Sequence, residues 1–229
     1  MNITWFGHSV LLLDIEKYQI LIDPFITGNP SCPIKTENLN PDFIVITHGH
    51  GDHIGDCIEI AKRCGSKIIA NFEICNWLNE KGIENTHAMN IGGAFEFPFG
   101  RLKQTIAHHS SILPDGGNGG NPSGIIFYFE KLTVYFASDT GLFMDMQLIG
   151  EEGIDLAILP IGDNFTMGPS DALKAVGLIK PKKVIPVHYN TFDVIKQDPF
   201  KFKEMVGSKH PNVEVVVAKV GESESFKIT

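Results

Sequence analysis

The chain has 229 residues, 43% of them hydrophobic, and a formal charge of -8, with 19 Lys and Arg against 27 Asp and Glu. That is enough apolar material for the core of one α/β domain, and length alone also allows two small ones. The acidity argues against a surface that tracks nucleic-acid phosphates, which would be basic, and against an electrostatic membrane anchor. No apolar stretch approaches the roughly 20 residues that span a bilayer. The first six residues carry no basic n-region and no cleavage site, so a first strand is expected there, not a signal peptide, and a cytoplasmic location with it.

Residues 9–15 and 18–22 are apolar around a possible turn at Glu16 and Lys17, which predicts a β-meander ended by Asp23-Pro24. Residues 27–33 form a Gly/Asn/Pro-rich loop. A strand over 43–46 is followed by a helical pattern over 54–63, with Gly65 as its stop. A short buried strand at 67–70 and a helix at 73–81 come next. Short strands fill 86–107, with turn signals at Gly92-Gly93 and at 98–100, and a strand pair is expected at 125–130 and 132–137. Alternation resumes with a strand at 154–159, a helix at 169–179 and a strand at 184–187. A helix at 200–206 and strands at 213–218 and 225–228 finish the chain. Each half runs from meander strands into alternating strands and helices. The doubling predicts an α/β fold of two sheets packed face to face with helices outside, a four-layer αββα sandwich forming one domain over 1–229.

Cys32, Cys57, Cys64 and Cys75 show no C-x-x-C spacing. Reduced core thiols are expected, not disulfides or thiolate ligands.

Between the strand at 43–46 and the following helix stands Thr47-His48-Gly49-His50-Gly51-Asp52-His53. Three imidazoles and a carboxylate within six residues suit Zn, Fe, Mn or Ni. Three more polar spots each follow a predicted strand: His108-His109-Ser110-Ser111, Ser138-Asp139-Thr140-Gly141 and His188-Tyr189-Asn190. Strand ends in α/β sheets are where sites assemble. Taken singly each has an ordinary reading, a surface histidine or a capping turn. As a set they supply the ligands that a two-metal site still needs.

The order His48-x-His50-x-Asp52-His53, then a His, Asp139 and His188, resembles the metallo-β-lactamase superfamily. The contexts Gly7-His8-Ser9, Ile22-Asp23-Pro24-Phe25, Ser138-Asp139-Thr140-Gly141 and the run 160–169 resemble its small metal-dependent hydrolases related to ascorbate-6-phosphate lactonase. The resemblance covers essentially the whole chain. It implies that His48, His50 and one of His108 and His109 hold a first divalent ion, zinc first, with manganese, nickel or iron as alternatives. Asp52, His53 and His188 would hold a second, and Asp139 would bridge the two. His109 is the choice of the pair, because the branch places Ser-Ser after its histidine. Asp52 would also orient the nucleophile or shuttle its proton.

Four further residues carry two readings each. Asp23 either fixes the tautomer of a ligand histidine or forms an Asp-Pro turn. His8 either faces the site and contacts substrate or sits in a meander loop. Asp163 and Asn164 either line the pocket or cap the helix near Pro169. His87 and His210 lack polar company and are expected in solvated loops. The Gly-rich run 115–122 is either a flap over the site or an exposed hairpin loop; it lacks the Lys-Ser/Thr of a phosphate loop.

These readings point to a hydrolase of a small ester, lactone or phosphodiester, with a small-molecule substrate, no nucleic-acid or membrane partner, and association of copies left open. A nuclease shares the ligand pattern, and the acidity stands against it. A non-catalytic metal-binding protein on the same scaffold is the third reading.

Overall fold

The computed structural model describes residues 1–226. In chain order the strands are β1 (Asn2–Trp5), β2 (Leu11–Ile15), β3 (Tyr18–Ile22) and β4 (Phe43–Val45). Helices α1 (Gly51–Ile54) and α2 (Cys57–Cys64), β5 (Lys67–Asn71), α3 (Phe72–Glu80) and β6 (Thr86–Met89) complete the first half. The second half holds β7 (Ala94–Phe97), β8 (Gly100–Ile106), β9 (Ser123–Phe129), β10 (Leu132–Phe136), α4 (Met146–Gly150), β11 (Leu156–Pro160) and α5 (Pro169–Ile179). It ends with β12 (Lys183–Val187), α6 (Pro199–Lys209) and β13 (Glu214–Val215), and β14 (Ser223–Ser225) then returns to the first sheet.

Two seven-stranded mixed sheets result, ordered β14-β1-β2-β3-β4-β5-β6 and β13-β12-β11-β10-β9-β8-β7. Alternation along the first sheet assigns its faces. Leu11, Leu13, Ile20, Ile22, Phe43 and Val45 enter the core shared with the second sheet, whereas Leu12, Leu21, Ile44 and Ile46 pack under helices. Helix α2 buries Cys57, Ile60 and Ala61, and α3 buries Ile74, Cys75 and Leu78, against that outer face. Ala172, Ala175, Val176 and Ile179 of α5, with Phe202 and Val206 of α6, do the same for the second sheet. The layers are therefore α, β, β, α, as the pattern of the sequence predicts.

The differences are local. The helix expected over 54–63 is broken in two at Gly55, which adopts φ 44°. The backbone of Pro24 and Phe25 passes so close that a methyl group on Gly55 would run into the Pro24 carbonyl oxygen. That carbonyl accepts the Asp56 N–H at 2.9 Å, and Asp56 Oδ2 accepts the N–H groups of Ile26 and Thr27. Gly55→Ala is accordingly expected to destabilise the fold by about 2 kcal/mol or more, read as a lower urea midpoint. Helix α4 escapes sequence reading, being only five residues long. The strand expected at 213–218 shrinks to Glu214–Val215. That expected at 225–228 forms earlier, at Ser223–Ser225, and its last two positions lie outside the described residues.

His87 is not in a loop: it sits within β6, opposite Ile69, with its ring 4.2 Å from that of Phe95. His210 caps the C-terminus of α6 through its N–H to the Val206 carbonyl. The four cysteines are free, and burial raises the Cys57 thiol pKa to about 12. The run 115–122 is tied down, which does not suit a flap. Asp115 accepts the Trp77 indole N–H at 2.6 Å and pairs with Lys81, while Asn71 donates to the carbonyls of Gly119 and Asn121. No helix among the described residues is long and apolar enough to cross a membrane.

Candidate metal centre

Six strands end on one rim of the sandwich, and the segment after each contributes a polar residue. His8 follows β1, Asp23 follows β3, and His48, His50, Asp52 and His53 follow β4. His109 follows β8, Asp139 follows β10 and His188 follows β12. The two sheets each bring part of the cluster, and His8 joins them. Its carbonyl accepts the His188 N–H at 3.0 Å and the Trp5 indole N–H at 2.9 Å. Of the nine non-glycine residues with positive φ among the described residues, all but Glu16 and Lys180 lie on this rim: His8, Asp23, Ser138, Asp163, Asn164, His188 and Asn190. Such conformations cost free energy and persist where the surroundings fix them, as at functional sites.

Ligand-capable atoms gather in three overlapping groups: His48, His50 and His109; His48, His53 and Asp139; and His8, Asp52, His53 and His188. His48 Nε2 faces His50 Nδ1 at 3.0 Å. Asp139 Oδ2 stands between the groups, 3.0 Å from His188 Nε2, 3.4 Å from His53 Nε2 and 3.6 Å from His109 Nε2. His109 is thus in the cluster. His108 points away, exposed, with its ring 5.0 Å from Phe143 and its N–H donated to Thr140 Oγ1.

One buried carboxylate sets the tautomers. Asp23, fully buried, accepts the Thr47 N–H at 2.9 Å through Oδ1. Its Oδ2 accepts the Thr47 hydroxyl at 2.7 Å and His53 Nδ1–H at 2.8 Å. His53 Nε2 is left to face the cluster. The Thr47 hydroxyl, having donated to Asp23, accepts from Ser138 Oγ at 2.7 Å and from His48 Nδ1–H at 3.1 Å. That leaves the His48 Nε2 lone pair for the cluster as well. Asp23 therefore carries the orienting role, and the Asp-Pro turn is how it arrives there.

Burial, followed by the neighbouring imidazoles, drives His48 well below 6.5 and lowers His50; it also lowers His109. All three are neutral near pH 7 and offer lone pairs. His53 is the exception. Burial opposes its charge, but the Asp139 and Asp23 carboxylates on either side win and hold its pKa well above 6.5. Burial would likewise raise Asp139, yet His188 and His53 hold it well below the usual carboxylate range. The cluster is built to hold positive charge, which without a metal is a proton.

The donor set fits divalent ions. His53 Nε2 and Asp139 Oδ1 are buried without a hydrogen-bond partner, a condition that proteins avoid unless something else satisfies the atom. Imidazole nitrogens and carboxylate oxygens without thiolate suit first-row metals, and no cysteine belongs to the groups.

His8 holds Asp52 in place. Its pKa is lowered to about 4, with burial the largest cause, so it is neutral near pH 7 and carries one N–H. Burial raises Asp52, but the hydrogen bond from His8 and the charge of His53 outweigh it and keep Asp52 ionised. An ionised carboxylate only accepts, so His8 Nε2–H donates to Asp52 Oδ2 at 3.1 Å. His8 Nδ1 then accepts the Thr191 hydroxyl at 3.1 Å. Because its Nε2 is a donor, His8 positions Asp52 while also lining the pocket.

Asp163 and Asn164 neither line the pocket nor cap α5. Both are exposed in a tight turn, with the Asp163 carboxylate accepting the Asn164 N–H, and the residue that reaches the cavity from this loop is Phe165. The N-cap of α5 is Gly168, without a side-chain bond. Thr47, Ser138, Ser110, Thr191, Phe165 and Phe192 are site residues to which the sequence analysis assigned no role of their own. Thr47 and Ser138 flank motif residues, which was a usable signal. Thr191 and the phenylalanines gave none.

The comparisons agree with this geometry. Residues 18–189 match the profile of the "Beta-lactamase superfamily domain". A "UPF0173 metal-dependent hydrolase" of Bacillus cereus (strain ATCC 14579) is 49% identical, over 97% of this chain and 99% of its own length. A protein of the same description from Bacillus anthracis (strain A0248) is 48% identical over the same shares. Igni18, a metallo hydrolase from Ignicoccus hospitalis, superposes with a TM-score of 0.89 at 40% identity, covering 99% of each chain. With its two sheets, its His/Asp cluster and these relatives, the chain belongs to the metallo-β-lactamase superfamily, among the UPF0173 metal-dependent hydrolases.

Proposed function

We propose that the protein hydrolyses a small ester, lactone or phosphodiester with two divalent ions, zinc being the first candidate and manganese, nickel or iron the alternatives. The observation that carries this is the position of Asp139, whose single oxygen Oδ2 lies within 3.6 Å of ring nitrogens from both histidine groups. His48, His50 and His109 would hold one ion, Asp52, His53 and His188 the other, and Asp139 both. Bound there, the ions would bring the pKa of a shared water down toward ~7 and polarise the substrate's carbonyl or phosphoryl oxygen.

The chain's own residues do the rest. Asp52, half-buried and ionised, sits at the pocket wall where it can take a proton from the attacking water. His8 and Thr191 keep that carboxylate oriented. Asp23 keeps His53 and, through Thr47, His48 aimed at the cluster. The size of the cavity, about 350 Å³, supports a small-molecule substrate. The net charge of -8 argues in the same direction, against a nuclease.

Chelated protein is expected to lose ester and lactone hydrolysis and to regain it in proportion to metal added, with full activity at two equivalents per chain. Metal analysis beside a rate measurement checks this. Full activity at one equivalent would overturn the two-ion reading, and turnover by metal-free protein would overturn the whole of it.

A further inference from the structure

The rim of the cavity carries two phenylalanines that protein folding alone leaves unexplained. Phe165 is 56% exposed and Phe192 38% exposed, yet both line the same cavity as His8, His50, Asp52, His109, Asp139 and His188. Apolar side chains held in water above a polar site mark contact with a ligand when they cluster. Both are preceded by costly backbone. Phe165 follows Asp163 and Asn164, at φ 63° and 50°, in a turn closed by Asp163 N–H to the Met167 carbonyl and Met167 N–H to the Thr140 carbonyl. Phe192 follows His188 and Asn190, at φ 55° and 60°, and its ring edge meets His8 at 5.5 Å. Among the described residues Phe165 pairs with no other aromatic ring, and more than half of its surface is open to an occupant.

The charge of the lining is equally informative. Among the described residues no Lys or Arg lines the cavity, although the chain has 19. Its ionised group at the open side is Asp52. A substrate with a phosphate or carboxylate remote from the reacting centre would find no cation to pair with and one anion to repel it.

We infer that the substrate is uncharged outside its reacting group and carries an aromatic or branched apolar substituent next to it, which packs between Phe165 and Phe192. This rests on the proposed hydrolysis and narrows its substrate by what stands beside the reacting group. For a carboxylic ester or lactone, water adds its oxygen to the acyl carbon, the acyl C–O bond breaks, and the alcohol oxygen leaves with a proton, giving acid and alcohol.

Three methyl esters with one leaving group test the inference: methyl phenylacetate, methyl acetate and the anionic monomethyl succinate. Metal-loaded protein is expected to favour the phenylacetate over both in kcat/KM. Phe165→Ala and Phe192→Ala are each expected to lower the phenylacetate-to-acetate ratio about tenfold, mainly through KM, the order expected from uncovering one face of a phenyl group. A preference for the succinate, or a ratio that neither variant moves, would overturn the inference while leaving hydrolysis standing. Loss of turnover on all esters would instead count against the hydrolase reading. In that event calorimetric binding still decides: benzohydroxamate must bind more tightly than acetohydroxamate and lose that advantage in both variants, and equal affinities overturn the inference.

Discussion

Replacing Asp139 by asparagine is expected to empty the site of at least one ion and to lower kcat/KM by about 10³-fold, the order lost with one principal electrostatic contributor. The substitution keeps shape and volume and removes only charge. It is informative because of where Oδ2 lies, 3.0 Å from His188, 3.4 Å from His53 and 3.6 Å from His109. A neutral amide there would be a poor bridge for the two proposed cations, and its NH₂ would compete as a donor with His53, which is held charged by the Asp139 and Asp23 carboxylates. Metal content after desalting and the steady-state rate are the two readouts. Retention of two ions with an unchanged rate would show that the histidine groups work independently of Asp139.

Asp23→Asn is expected to have the largest effect on stability, about 3–5 kcal/mol in metal-free protein, because it removes one partner of a buried pair and leaves the other. Both carboxylate oxygens are used, by three donors: the Thr47 N–H, the Thr47 hydroxyl and His53 Nδ1–H. An amide offers one acceptor, and its NH₂ must then face a donor. The same change should weaken metal binding 10- to 100-fold, since both His53 and His48 lose the partner that fixes their tautomers. Urea unfolding and a metal titration separate the two consequences. Thr47→Val offers a partial version: it cuts the path to His48 while leaving His53 on Asp23. Its metal affinity should fall less than that of Asp23→Asn, and equal losses would mean that the Asp23 carboxylate acts on the site only through Thr47.

The sequence and the tertiary structure divide the explanation in a way that particular residues make plain. Periodicity of 2 and 3.6 placed most strands and helices because alternation is dictated by which face each side chain meets; residues 43–46, an unbroken apolar run, form a strand buried on both faces. The helix expected over 54–63 fails at Gly55 because the break is set by Pro24, which is 31 positions away in sequence and in contact in space. A one-dimensional pattern holds no record of such an approach.

The site shows the same boundary. His48, His50, Asp52 and His53 announce metal chemistry by local density, and His109, Asp139 and His188 by standing after strands, so the candidate ligands were legible in the chain. Between His108 and His109 the Ser110-Ser111 that follows already favoured His109, and the fold supplies the physical reason: neighbours on a chain leaving a strand point in different directions, and His108 lies against Phe143. Only the fold turned His8 into the support of Asp52, because that depends on a neutral imidazole meeting Thr191 from a loop 183 residues away. Asp163 and Asn164 were drawn toward the pocket by their polarity, yet their place is the turn that lifts Phe165. Residue type tells which atoms can bind a cation; the convergence of six strand ends tells which of them come together, and which apolar rings line the same cavity.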